Sequence, residues 1–111
     1  MGKFVISLRK NDEYQFSLKA GNGETILNSE GYLTKASCLN GIESVKKNSQ
    51  DESKYELLES KNGKFYFNLK AGNGQIIGSS ELYETAAGRK NCINSVMKNA
   101  AEATIDDTTL A

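Results

Sequence analysis

Residues 4–48 align without a gap on residues 55–99, and 21 of those 45 positions are identical. Composition alone accounts for roughly three such matches. The strongest block is Phe16-Ser17-Leu18-Lys19-Ala20-Gly21-Asn22-Gly23 against Phe67-Asn68-Leu69-Lys70-Ala71-Gly72-Asn73-Gly74. Ser29-Glu30-Gly31-Tyr32-Leu33-Thr34 answers Ser80-Glu81-Leu82-Tyr83-Glu84-Thr85, and Asn40 to Asn48 answers Asn91 to Asn99. Two copies are too few for a solenoid, which draws its stability from stacking many units. The simpler origin is duplication of a unit that once buried its apolar face against a second copy of itself. One pseudo-two-fold domain over residues 1–111 is expected, with repeat one at 4–48, repeat two at 55–99 and a closing strand near 103–107.

Within each copy the apolar period changes once. Phe4, Ile6 and Leu8 alternate with Val5, Ser7 and Arg9, and Tyr14, Phe16 and Leu18 alternate with Gln15, Ser17 and Lys19. A period of two marks half-buried strands, here with Phe16 and Phe67 on the inward side of each copy. Asn11-Asp12 and Asn62-Gly63 read as tight turns, and a third short strand is expected near 25–29 and 76–80. The spacing then becomes helical: Cys38, Ile42 and Val45 share a face, as do Ile93, Val96 and Met97. Thr34 and Thr85 are expected to cap the helix N-termini, and Glu30 and Glu81 to act there too. Asn48 and Asn99 are expected as C-caps, and Gly41 and Gly88 as points of close packing. Ala103 and Ile105 alternate with Thr104 and Asp106, which predicts a last strand with Ile105 buried.

What the chain lacks narrows its chemistry. It has no His, which removes imidazole as base, relay or metal ligand. Two cysteines, Cys38 and Cys92, are too few for a four-ligand zinc site and fall at non-equivalent places in the repeat, so free buried thiols are expected. Fourteen basic residues balance fourteen acidic ones. Residues 1–48 carry seven and five, or +2, and residues 49–111 carry seven and nine, or −2. Neither half has the cationic excess that drives phosphate-backbone binding. No apolar run reaches membrane-spanning length and no secretory leader is evident, so a cytoplasmic location away from membranes is expected.

With these residues in view, the chain resembles the YegP-like family of small, mostly bacterial proteins of uncharacterised function. The resemblance rests on the twice-occurring Leu-Lys-Ala-Gly-Asn-Gly, on Ser-Glu-x-Tyr-x-Thr, and on the helix segments from Asn40 to Asn48 and Asn91 to Asn99. It covers residues 3 to about 108 and corresponds to the tandem form of the family. It implies an α+β fold: two tandem βββαβ repeats share one antiparallel sheet, with helices packed on one face and the C-terminal strands exchanged between units. It brings no activity, substrate, cofactor or catalytic residue. The departure is Cys92, where the family pattern has glycine, as repeat one does at Gly41.

Two surfaces attract notice. Asn40, Ser44, Lys47 and Asn48 form one helical stripe, repeated by Asn91, Ser95, Lys98 and Asn99. Solvated helix faces favour Glu, Lys and Ala, so small polar residues kept in both copies suggest a contact surface, although shared descent alone also keeps them. On the polar side of matching strands lie Lys19, Lys70 and Tyr66, the residue types that stack and clamp single-stranded bases. The Gly-Asn-Gly loops join strand to strand, so a hairpin turn accounts for them better than a phosphate cradle. Asp106 and Asp107 are adjacent on a strand and point to opposite faces. No catalytic, metal-binding or cofactor site is expected. The expected function is a non-enzymatic binding or protein-interaction module, monomeric, with a protein or small ligand as partner; single-stranded nucleic acid is the alternative.

Overall fold

Alternating side chains set the strands and the change to helical spacing ends each meander, in a computed structural model that describes residues 2–110. The elements in chain order are β1 (Lys3–Leu8), β2 (Tyr14–Lys19), β3 (Thr25–Asn28), α1 (Lys35–Asn48), a single 3-10 turn (Glu52–Lys54), β4 (Tyr55–Glu59), β5 (Phe65–Lys70), β6 (Ile76–Ser79), α2 (Ala86–Ala100) and β7 (Thr104–Asp107). All seven strands form one sheet in the order β4-β5-β6-β3-β2-β1-β7. The first six are palindromic about the β6–β3 junction, the order that two copies of one meander produce when they meet at their third strands. The fold class is α+β.

Local chemistry accounts for the boundaries. Thr34 accepts from the Ser37 amide at 3.1 Å, and Thr85 from the Gly88 amide at 3.0 Å, so each threonine caps its helix. Glu30 and Glu81 lie four residues upstream and make no hydrogen bond in either cap. Asn48 and Asn99 are not C-caps either. Each folds back to donate to the carbonyl and hydroxyl of Ser44 or Ser95, at 2.8 and 3.1 Å in repeat one. The Gly-Asn-Gly loops are hairpin turns: Gly23 and Gly74 adopt φ of +88° and +86°, and the Asn22 and Asn73 carboxamides accept from the next amide but one.

The core is continuous across both repeats. Phe4, Ile6, Phe16, Leu18, Phe67 and Leu69 from the sheet meet Ile42, Val45, Ile93 and Val96 from the helices. Phe16 and Phe67 are fully buried, as their place in the period-two series requires. Both helices lie over the central strands, α1 on β2, β5 and β6, α2 on β2, β3 and β5.

Two expectations fail at the last strand. The sheet is mixed, not antiparallel, because β7 pairs with β1 in parallel. The cause is where α2 ends. Its Asn99 packs against Gly2, and Thr104 donates to the Gly2 carbonyl at 3.3 Å. The chain leaves α2 beside the start of β1 and can extend only in the same direction. Ile105 faces the helix side, opposite Phe4, yet is 43% exposed. The helices stop short of this edge, and Ala103 is the buried residue instead.

Duplication also shows in how the two copies differ. Asn28 pairs with its own counterpart Ser79 across the β3–β6 junction, so the pseudo-two-fold axis passes there. On the core side the neighbouring counterparts are Leu27 and Gly78. A Cβ on Gly78 would stand 2.7 Å from Leu27 Cδ2 and 2.8 Å from its Cγ. The axis has room for one leucine. Gly78→Leu is expected to cost about 1–3 kcal/mol through overpacking, and the exchanged pair Leu27→Gly with Gly78→Leu to regain most of it. Urea unfolding of the three variants checks this; a harmless Gly78→Leu would show that the junction is loose.

Candidate functional site

The open face of the sheet carries the first candidate set. Register alternation turns Lys19, Lys70 and Tyr66 to the side away from the helices. Lys19 on β2 and Lys70 on β5 are three strand steps apart, about 14 Å across the strands, and about 13 Å apart along them, because they lie on opposite sides of the line through Ser17, Asn28, Ser79 and Asn68. Tyr66 lies four residues from Lys70 along β5, about 13 Å, and is half-buried. Lys70 is already paired with Glu56 at 3.2 Å. These three residues do not converge. Between the lysines runs a row of small polar residues, Ser17, Asn28, Ser79 and Asn68, in which Ser17 donates to Asn28 at 2.9 Å and Ser79 to Asn68 at 2.6 Å. Serine and asparagine have exchanged places between the repeats, and the bond is kept.

The helix stripes behave differently. Asn40, Lys47, Asn91 and Lys98 are exposed, whereas Ser44 and Ser95 are half-buried and bonded to Asn48 and Asn99. Part of the stripe thus serves the last turn of its own helix. The remainder faces a loop of the other repeat. Asn40, Ser44 and Lys47 of α1 line a groove with Gly72 and Asn73 from the β5–β6 hairpin. Asn91 and Ser95 of α2 line a second groove with Ala20 and Asn22 from the β2–β3 hairpin. The stripes and the Gly-Asn-Gly loops are therefore one structure, assembled twice and crosswise. Sequence reading treated them separately, because nothing in a single strand of text says that a helix of one repeat meets a hairpin of the other. Lys98 falls outside, in a depression with Gly2 and Glu102.

The grooves are not chemical twins. The first is bordered by Glu43, Asp51 and Lys54 as well as Lys47. The second contains Tyr83, Cys92, Ile26 and Glu24 and no cation. The difference traces to Gly41 and Cys92. A Cβ on Gly41 would lie 2.4 Å from the Tyr32 hydroxyl, so Tyr32 rests directly on the helix and stacks on Phe16, 6.2 Å between ring centres at 14°. In repeat two Cys92 fills that space, and Tyr83 lines the groove with it. Gly88 shows no such crowding; a Cβ there would first meet the Thr85 hydroxyl, at 3.3 Å.

The family model described as "Domain of unknown function (DUF1508)" matches residues 10–56 and again 60–107. The chain belongs to the DUF1508 family. It is 52% identical over 108 residues to the UPF0339 protein YegP of Escherichia coli K12, covering 97% of this chain and 98% of that one. It is 51% identical over 110 residues to YegP of Yersinia pestis, with coverage of 99% and 98%. Solution NMR structures of two relatives match closely. E. coli yegP, described as a protein of unknown function, has a TM-score of 0.94 at 51% identity, covering 99% of this chain and 95% of that one. A UPF0339 protein from Shewanella oneidensis has a TM-score of 0.91 at 52% identity, covering 96% and 90%. Each DUF1508 match thus runs strand, strand, helix and into the strand that follows the helix, ending within β4 in the first copy and at the end of β7 in the second.

The ionisable groups of this DUF1508 chain do not gather into a reactive set. Cys38 and Cys92 are free and buried. Burial, with a contribution from the Asp107 charge, pushes the Cys38 thiol up to about 11. Burial pushes Cys92 up as well, and its thiol donates to the Ile26 carbonyl at 3.3 Å. Tyr32, Tyr55 and Tyr83 are also raised, chiefly by burial. Such shifts hold these groups in their neutral, less nucleophilic forms near neutral pH. Among the described residues no three Cys, Asp or Glu side chains cluster, and no helix is long and apolar enough to cross a membrane.

Proposed function

We propose that the chain is a non-enzymatic binding module whose contact surface is the pair of crosswise grooves. The observation that carries this reading is the meeting of each Asn/Ser stripe with the Gly-Asn-Gly hairpin of the opposite repeat. Exposed carboxamides and hairpin backbone offer donors and acceptors on a rigid frame, the kind of surface that fixes a partner by direction more than by apolar area. The raised thiols and phenols lend weight to binding over catalysis, since an acid–base or nucleophilic role at neutral pH calls for shifts toward 7. Lys19, Tyr66 and Lys70, spread over the open face with one lysine already paired, give little support to the alternative of single-stranded nucleic acid.

Capture from native lysate with three baits tests the reading: the natural chain, Asn40→Arg with Asn91→Arg, and Lys19→Glu with Lys70→Glu. A partner retained by the first and third baits and lost by the second is expected. The opposite pattern, or salt-sensitive retention on a single-stranded oligonucleotide that the third bait loses, sinks it.

A further inference from the structure

Beyond the ladder itself, the end of β7 is anchored to β1 and to α1. The Ile6 carbonyl points outward and accepts from the Thr108 amide at 3.0 Å and its hydroxyl at 2.6 Å. Asp107 stands opposite Ile6 in the parallel register. Lys35, at the start of α1 and 5.8 Å from the centre of the Tyr14 ring, pairs with Asp107 at 2.8 Å.

The same arrangement exists at the other end of the sheet, without the strand. β4 is the repeat counterpart of β1 and the last strand on its side. Phe65 exchanges both backbone bonds with Tyr83 on its inner side. Glu59, opposite Phe65, therefore turns its backbone outward, and so by alternation do Leu57 and Tyr55. Leu57, the counterpart of Ile6, is 55% exposed. The cation is present too. Phe65 is the counterpart of Tyr14, and the Arg89 guanidinium lies 5.2 Å from its ring centre. Arg89 occupies the repeat position of Cys38, one helical turn beyond that of Lys35 and on the same face, so the two cations reach equivalent places from neighbouring turns. Arg89 donates to the Leu58 carbonyl at 3.0 Å, which fixes it beside β4, and it forms no ion pair among the described residues. Glu52 is already paired with Lys90 of the helix that carries Arg89, Glu56 pairs with Lys70 on the opposite face of the sheet, and Glu59, opposite Phe65, makes no ion pair with Arg89. Cys38 in repeat one feels the Asp107 charge, so the position that Arg89 fills is one that faces the acidic residue of an added strand.

We propose that the β4 edge is a docking site for an extended segment of a partner protein, which adds as a parallel strand and sets an acidic side chain opposite Leu57, on Arg89. This goes beyond the groove reading and uses none of the groove residues. The Tyr55 amide already donates to the Glu52 carbonyl; main-chain bonds to the Tyr55 carbonyl, Leu57 and Glu59 supply affinity, and the guanidinium selects the carboxylate and its register.

The probe is a synthetic peptide of residues 103–109, Ala-Thr-Ile-Asp-Asp-Thr-Thr, which already fits the equivalent edge. Amide spectra of the full chain are followed up to roughly 2 mM peptide, since isolated strand addition is weak. Shifts confined to residues 55–59 and Arg89 are expected. Arg89→Ala, and separately a peptide with both aspartates changed to asparagine, are each expected to weaken binding about tenfold. Leu57→Pro removes an outward amide without costing a ladder bond and is expected to abolish binding. The proposal is overturned by silence along 55–59, by shifts at Phe4 and Ile6 alone, or by binding indifferent to both charge changes. It is also overturned by dimerisation without peptide that Leu57→Pro abolishes, which would make a second copy of the chain the occupant.

Discussion

Phe16→Ala and Phe67→Ala are each expected to destabilise the chain by about 3–5 kcal/mol, the range for emptying a fully buried aromatic site. Both rings are sealed from solvent beneath the helices. Phe16 has the larger set of aromatic neighbours, with Phe4 edge-on at 5.7 Å and Tyr32 stacked at 6.2 Å. Phe67 has Tyr55 edge-on at 5.3 Å. The Phe16 substitution is therefore expected to cost at least as much as the other. In a fold whose whole stability is on the order of 5–15 kcal/mol, either leaves a marginal protein. Urea midpoints measure the effect, and a loss under about 1 kcal/mol at either site would mean that its cavity collapses freely.

Removing residues 104–111 is expected to lower stability by about 1–3 kcal/mol, from lost ladder bonds and a little apolar cover. In a domain of this size that lowers the thermal midpoint by roughly 5–15 °C. The contribution also depends on pH. Lys35 and Thr109 donate to the Asp107 carboxylate and hold it down at about 2, against an ordinary value of 3.8. A depressed folded value stabilises at pH above the ordinary one, and that stabilisation drains away as pH falls from about 4 toward 2. The natural chain is thus expected to lose more stability than the truncated one across that window. Parallel acid titrations of the two check this, and equal losses would refute the linkage.

What could be read from sequence was what is decided locally. Thr34 and Thr85 cap, the Gly-Asn-Gly loops turn, and Phe16 faces inward because each choice involves residues within a few positions. Ile105 shows the limit. Period two says which face a side chain takes, but not whether a helix reaches far enough to cover it. The direction of β7 depends on where α2 ends against Gly2, a contact across nearly the whole chain. Asn48 and Asn99 misled for a related reason: a helix-terminal asparagine can cap or fold back, and the serine one turn earlier decided it. The crosswise grooves needed both repeats in place at once, and Arg89 escaped notice because its partner in function, Lys35, is not its partner in the alignment.

The Leu27–Gly78 contact bears on the ancestry and the divisibility of this chain. A single unit that pairs with its twin must put the same residue on both sides of the axis. Two leucines do not fit there, and two glycines leave a hole. Once the halves were fused they were free to specialise, one supplying the bulk and the other the space. The change works against a return to separate units. Cut between Ser49 and Lys54, the first half would reject itself by crowding and the second by emptiness, while each would still accept the other. The two pieces are therefore expected to pair with each other in preference to copies of themselves.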